Sequence, residues 1–190
     1  DMRIIAGSRR GTILTKLDAG STRPTSDRVR ESLFNILQGG RFGGILADCR
    51  VIDLFSGTGA LGLEAISRGA IFASFVENND AALAVLRANI AKLRFQSSTA
   101  VMAVNALSLT HWRRAPAQLV FADAPYQSGA GMIAVLTLAE IGALTDGAVI
   151  VLETAKTETL DINNDKRNAF TTVEARCYGK AMLHFLTYRA

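Results

Sequence analysis

Between residues 50 and 153 the chain repeats one unit, a short apolar run suited to a strand followed by a segment with helical spacing. Strands are predicted over residues 50–55, 71–77, 100–104, 119–122 and 148–153, with helices over 60–68, 80–92 and 131–140. Residues 171–177 and 182–188 flank a turn and form a closing antiparallel pair. Apolar strands that alternate with helices bury both sheet faces. The expected fold is therefore α/β: a Rossmann-like, doubly wound, mostly parallel seven-stranded sheet with a C-terminal antiparallel strand pair. In the helix over 80–92, Ala81, Val85, Ala88 and Leu86 are expected to face inward.

The first quarter of the chain reads differently. Ile4 to Gly7 and Thr12 to Leu14 suggest a small β-hairpin with a basic tip at Arg9 and Arg10. Pro24, Thr25, Ser26 and Asp27 then open a helix with Val29, Leu33, Ile36 and Leu37 on one face, stopped by Gly39-Gly40. The expected organisation is an N-terminal hairpin and helix extension over residues 1–40 and a catalytic domain over 41–190. Residues 1–50 carry nine Lys/Arg against five acids, while the rest of the chain is balanced, so the whole net charge of +4 sits in this quarter. Such asymmetry suits a polyanionic partner. The two cysteines lack disulfide or metal spacing, and His111, Trp112 and His184 read as structural. The chain carries no run of about 18 apolar residues and no secretory h-region, so a cytoplasmic protein without metal or membrane contact is expected, a monomer by default.

Gly57-Thr58-Gly59-Ala60-Leu61-Gly62 follows a strand and opens a helix, with Glu77 eighteen residues after Gly59. That spacing admits a nicotinamide or flavin dinucleotide. It equally admits S-adenosylmethionine, whose carboxylate would suit a helix N-terminus. Asp53, four residues before Gly57, favours the second ligand, because a carboxylate there repels a pyrophosphate and attracts a cationic amino group. Phe55, Ser56, Gly57, Thr58, Gly59, Glu77 and Asn78 are the candidate cofactor contacts around that loop.

A second motif supplies chemistry. The strand over 119–122 ends in Asp123-Ala124-Pro125-Tyr126. Ligands in open α/β sheets lie beyond the carboxyl ends of strands, so Asp123 should share a crevice with Asp53 and Glu77. An exocyclic base amine is a weak nucleophile. The Asp123 carboxylate and the Ala124 carbonyl could accept its two hydrogens, hold it in line and stabilise the developing positive charge. Tyr126 offers a stacking face for an unstacked base, and Pro125 fixes the turn.

Together the two motifs resemble motifs I and IV of the class I amino-methyltransferases. More narrowly, the chain resembles the RsmD-type 16S ribosomal RNA guanine-N2 methyltransferases. The matching stretches are Arg3 to Gly7 with Arg10-Gly11, residues 23–37, residues 53–65, Ser67 to Ala70, Val76-Glu77 and Tyr178-Gly179. The resemblance implies S-adenosylmethionine as cofactor and transfer of methyl to guanine N2 in small-subunit ribosomal RNA or its assembly particle. It also implies an adenine contact at Asn105-Ala106, and RNA or cofactor-ordering contacts from Arg3, Arg9, Arg10, Arg23, Arg28 and Arg30. One departure is clear: Ala124 stands where the family carries the first proline of Asp-Pro-Pro. Two rival readings are an adenine-N6 DNA methyltransferase, which the second motif equally permits, and a catalytically weak RNA-binding assembly factor, which only Ala124 supports.

Overall fold

The computed structural model describes residues 1–18, 25–162 and 167–190. Arg23 and Pro24, expected respectively at the RNA-facing surface and at the opening of the first helix, lie outside the described residues. The first helix, α1 (Asp27–Gln38), starts where a cap is available: the Ser26 hydroxyl accepts from the Val29 N–H at 3.2 Å.

The repeating part of the chain forms β1 (Arg50–Leu54), α2 (Ala60–Ser67), β2 (Phe72–Val76), α3 (Asp80–Leu93), β3 (Thr99–Met102), β4 (Ala117–Ala122), α4 (Ala130–Glu140) and β5 (Leu144–Ala155). The antiparallel pair β6 (Phe170–Tyr178) and β7 (Ala181–Tyr188) follows. Single 3-10 turns at Gln96–Ser98 and Ala106–Ser108 flank β3. The seven strands run in the order β3-β2-β1-β4-β5-β7-β6. All pairings from β3 to β5 are parallel, and β7 pairs antiparallel with both β5 and β6. The order reverses between β1 and β4, where an open sheet leaves a crevice for a ligand.

Each central strand is buried on both faces by alternating residues. Val51, Leu119, Phe121, Val149 and Val151 point to one side, where Leu33, Phe34, Leu37, Leu63, Leu86 and Ile90 of α1 to α3 cover them. Ile52, Leu54, Val120, Ala122, Ile150 and Leu152 point to the other, under Met132, Val135 and Leu138 of α4. Met2, Ile4 and Leu14 join the first of these cores. The N-terminal segment thus packs into the same core as β1 and α2. Its hairpin is reduced to one antiparallel bridge, Arg3 to Ile13, closed at the tip by glycines at positive φ, Gly7 (85°) and Gly11 (85°).

Three details differ from the sequence reading. In α3 the buried positions are Ala82, Leu83, Leu86, Asn89, Ile90 and Leu93, so of the four residues expected inward only Leu86 is buried. The helix is alanine-rich, several phases fit its pattern, and the phase that buries the larger leucine and isoleucine side chains prevails. In α1, Arg30 and Phe34 are buried beside Leu33 and Leu37. Finally, β5 extends to Ala155, two residues beyond the expected strand end at Glu153.

Candidate active site

The carboxyl ends of β1, β2, β4 and β5 open onto one cleft of about 500 Å³, within the range of a cofactor site. Asp53, Phe55 to Thr58, Glu77, Asn78, Asp123 to Tyr126 and Glu153 all line it, joined by Thr25, Lys16 and Leu17 from the N-terminal quarter. The sheet register explains why. Leu54 pairs with Val76 and with Ala122, and Ala122 pairs with Leu152, so Phe55, Glu77, Asp123 and Glu153 stand abreast; the first three leave the sheet there, while β5 continues alongside β7.

On the β1–β2 side the acids brace the backbone. The buried Asp53 carboxylate accepts from the Gly62 N–H of α2 at 3.0 Å. Gly62 has no room for more: a Cβ would lie 2.5 Å from the Phe75 ring and 3.1 Å from Asp53 Oδ2. Burial first, then the negative charge of Glu77, push the Asp53 carboxyl up to about 8, against a partial lowering by the Gly62 bond. Glu77 accepts from the Gly57 N–H (2.9 Å), the Asn78 N–H (2.9 Å) and the Asn79 N–H (3.0 Å). Its carboxylate therefore shapes both the glycine loop and the start of α3. Gly59 adopts φ 81°, and a Cβ there would strike Leu86 at 2.4 Å. Asn89 stitches the loop from behind, donating to the Thr58 carbonyl at 3.0 Å while bonding Thr15. The Ser56 hydroxyl is buried in the cleft wall without a hydrogen-bond partner among the described residues. Phe55, a non-glycine residue at φ 54°, makes the bend.

On the β4–β5 side the acids face one another. Asp123 and Glu153 follow the paired residues Ala122 and Leu152 and so adjoin one another. The Thr25 hydroxyl lies 3.3 Å from both Asp123 Oδ2 and Glu153 Oε2, and the Tyr126 hydroxyl donates to Glu153 Oε1 at 2.7 Å. Burial, then the adjacent Glu153, hold the Asp123 carboxyl well above the usual carboxylate range, and only the Thr25 bond lowers it. The turn that carries Asp123 is braced independently of its missing first proline. Ser128 Oγ donates to the Pro125 carbonyl at 2.6 Å, and the Gln127 N–H donates to Glu158 at 2.9 Å, with Gln127 itself at φ 60°.

The structure thus brings Asp53, Phe55 to Thr58, Glu77, Asn78 and Asp123 to Tyr126 to one cleft, whereas Gly59 does not line it. It adds Glu153 and Thr25, which the sequence reading does not place in the site. Glu153 carries the same signal as Asp53 and Asp123, an acid near the carboxyl end of an apolar strand. Asn105 and Ala106 are placed elsewhere: Asn105 caps its own 3-10 turn, accepting from the Leu107 N–H at 2.9 Å, and neither residue lines the cleft. The expected surface cations also divide. Arg3, Arg10 and Arg28 are exposed. Arg9 is half-buried, donating to the Leu93 carbonyl at 2.8 Å over the Phe95 ring. Arg30 is fully buried, bonded to Asp27 and to the Arg3 carbonyl and paired with Glu64 at 3.5 Å. Its spacing to Leu33, Phe34 and Leu37 puts it on the core face of α1, so it sits inside the fold, where it also borders the cleft.

A family model described as "Conserved hypothetical protein 95" matches residues 2–187. "Ribosomal RNA small subunit methyltransferase D" of Escherichia coli K12 is 38% identical over 152 residues, covering 80% of this chain and 74% of that protein. The chain belongs to the RsmD methyltransferase family. Another member with the same printed name, from Haemophilus influenzae, is 34% identical over 164 residues, covering 84% of this chain and 82% of its own. Among solved structures, the Escherichia coli methyltransferase yhhF superposes with a TM-score of 0.83 at 32% identity, covering 100% of this chain and 98% of that one. A Thermus thermophilus protein superposes at 0.74 with 25% identity, each chain fully covered. The two solved structures share the overall Rossmann-like fold.

Proposed function

We propose that this protein transfers a methyl group from S-adenosylmethionine to the exocyclic N2 of a guanine in small-subunit ribosomal RNA. The observation that carries the reading is the meeting of Asp53 and Asp123 in one cleft at the switch between β1 and β4. The relatives named as small-subunit ribosomal RNA methyltransferases point to the same substrate class.

The β1–β2 side fits the methyl donor. Asp53 would receive the cationic amino group, which supplies the charge this buried carboxyl lacks. The unpartnered Ser56 hydroxyl offers one further polar contact. A carboxylate has about four lone-pair sites, and Glu77 uses three, which leaves one for a ribose hydroxyl unless Gly57 is released. When bound, the donor supplies an electrophilic methyl on sulfur. The chain's own work lies on the other side of the cleft. Asp123 and the Ala124 carbonyl orient the amine, Tyr126 covers the base plane, and the adjoining Asp123 and Glu153 carboxyls together take up the proton that the methylated nitrogen gives up. Exposed Arg3, Arg10 and Arg28 of the N-terminal quarter, together with Lys16 in the cleft lining, would meet phosphates.

Two measurements test this. Titration calorimetry should give donor binding that Asp53→Ala or Glu77→Ala weakens; unchanged binding removes the cofactor assignment. Incubation with tritiated donor and either undermethylated small subunits or duplex DNA should label guanine in the subunit. Label in DNA adenine would overturn the reading, and binding of donor and RNA without transfer would make the protein an assembly factor.

A further inference from the structure

Glu153 lies outside the motif that carries Asp123, yet its carboxylate stands abreast of Asp123 in the sheet register and lines the same cleft. Two hydroxyls border it. Tyr126 gives its hydroxyl proton to Oε1 at 2.7 Å, and the Thr25 hydroxyl lies 3.3 Å from Oε2. Tyr126 and Thr25 come from different parts of the chain, so the orientation of Glu153 is fixed from two sides. Hydroxyls held against a carboxyl oxygen fix its position and leave its other lone pairs to accept from a ligand. The cleft therefore presents two neighbouring acceptor oxygens beside a stacking ring, one from Glu153 and one from the Asp123 carboxyl, which keeps its carbonyl oxygen as an acceptor even when it holds a proton.

We infer that Glu153 is a specificity-determining residue, accepting the ring N1–H of the target guanine while Asp123 accepts the adjacent amino N–H. This rests on the proposed guanine-N2 reading and gives it a structural reason. The Watson–Crick edge of guanine carries two adjacent donors, the ring N1–H and the amino group. Adenine carries one donor and a ring nitrogen acceptor in the corresponding places. Against two fixed acceptors guanine makes two hydrogen bonds. Adenine makes one and sets a lone pair against the Glu153 carboxylate, leaving a desolvated group unmatched. Sites built to bond a polar group reject analogues that lack it far more strongly than apolar pockets do.

The discriminating probe is 2-aminopurine riboside, which keeps the N2 amine but turns N1 from donor to acceptor. Small-subunit RNA would be assembled from synthetic segments with guanosine or 2-aminopurine at the methylated position, and kcat/KM compared. Wild type should favour guanosine by at least about tenfold. Glu153→Gln should bring the ratio close to one, because a side-chain amide can turn its N–H to the ring nitrogen. Tyr126→Phe, which frees Glu153 without altering either carboxylate, should lower the ratio by a smaller factor, and it decides the matter if the Gln variant does not fold. A wild-type ratio near one, or a ratio that neither variant changes, overturns the role of Glu153 while guanine-N2 product keeps the broader reading intact. Label in adenine, or none in RNA, would instead remove the broader reading.

Discussion

Among the described residues two clusters of charge, one buried in the core and one half-buried at the strand ends, are built on opposite plans. In the first, fully buried Glu64 of α2 accepts from the Ile5 N–H (2.8 Å), the Ala6 N–H (3.1 Å) and Arg68 Nε (3.0 Å), with Arg30 at 3.5 Å. Each charge there has an opposite partner, and the cluster joins the N-terminal segment, α1 and α2. In the second, Asp53, Asp123 and Glu153 crowd the strand ends; among the described residues no cation pairs with them. A matched cluster serves the fold. An unmatched one costs stability and is kept where a ligand supplies the missing charge or donors.

Substitutions should separate the two plans by the sign of their effect on stability. Glu64→Ala leaves buried Arg30 only the half-exposed Asp27 as counter-charge and orphans two backbone N–H groups, and should destabilise by about 3–5 kcal/mol in denaturant titration. Asp123→Ala should do the reverse: transfer in single-turnover assays falls by about a hundredfold or more, while donor binding persists and the melting temperature holds or rises as like-charge repulsion is relieved. A large loss of stability in that variant would put Asp123 among the fold's supports and collapse the contrast. Gly62→Ala tests the boundary between the plans, since the added methyl meets both Phe75 and Asp53. Overpacking should cost about 1–3 kcal/mol, outweighing the gain of about 1 kcal/mol in helix propensity, so its melting temperature should drop.

The smallest effect is on pH dependence. The Asp53 carboxyl is raised from 3.8 to about 8 in the folded protein, so between those values the folded state binds more protons than the unfolded. Its contribution to stability is present at low pH and is lost as pH rises through about 8. Donor affinity runs the other way. It should climb toward pH 8 as Asp53 ionises, then fall as the ligand's amine, near about 8, loses its own charge. Calorimetry across pH checks this, and a flat profile that Asp53→Asn leaves unaltered would detach Asp53 from the ligand.

Much of this architecture is legible in the chain. The βα repeat, the cap at Ser26 and the two strand-end motifs each follow from local chemistry, and the structure brings the motifs into one cleft. What stays hidden has particular causes. Glu153 is hard to single out because β5 continues beyond it to Ala155, and its partners Thr25 and Tyr126 are 128 and 27 residues away. Arg30 looks like a surface cation by charge, although its position three, four and seven residues before Leu33, Phe34 and Leu37 marks the core face. In α3 the small side chains give no dominant phase. Asn89 is buried there because Thr15 and Thr58 need its amide, a demand that no local pattern expresses.

Ser67, which closes α2, grips the N-terminal turn through the Ser8 N–H (2.7 Å), the Arg9 N–H (3.0 Å) and the Ala6 carbonyl (2.6 Å). A Cβ on Gly7 would fall 1.7 Å from the Ser67 carbonyl oxygen. The opposite end of α2 bonds Asp53 through Gly62. The basic turn and the donor cleft are therefore mounted on two ends of one short rod. Anyone grafting a different loop here to retarget the protein must transplant the glycine with it, or the rod will tilt and the cleft will change shape with the graft.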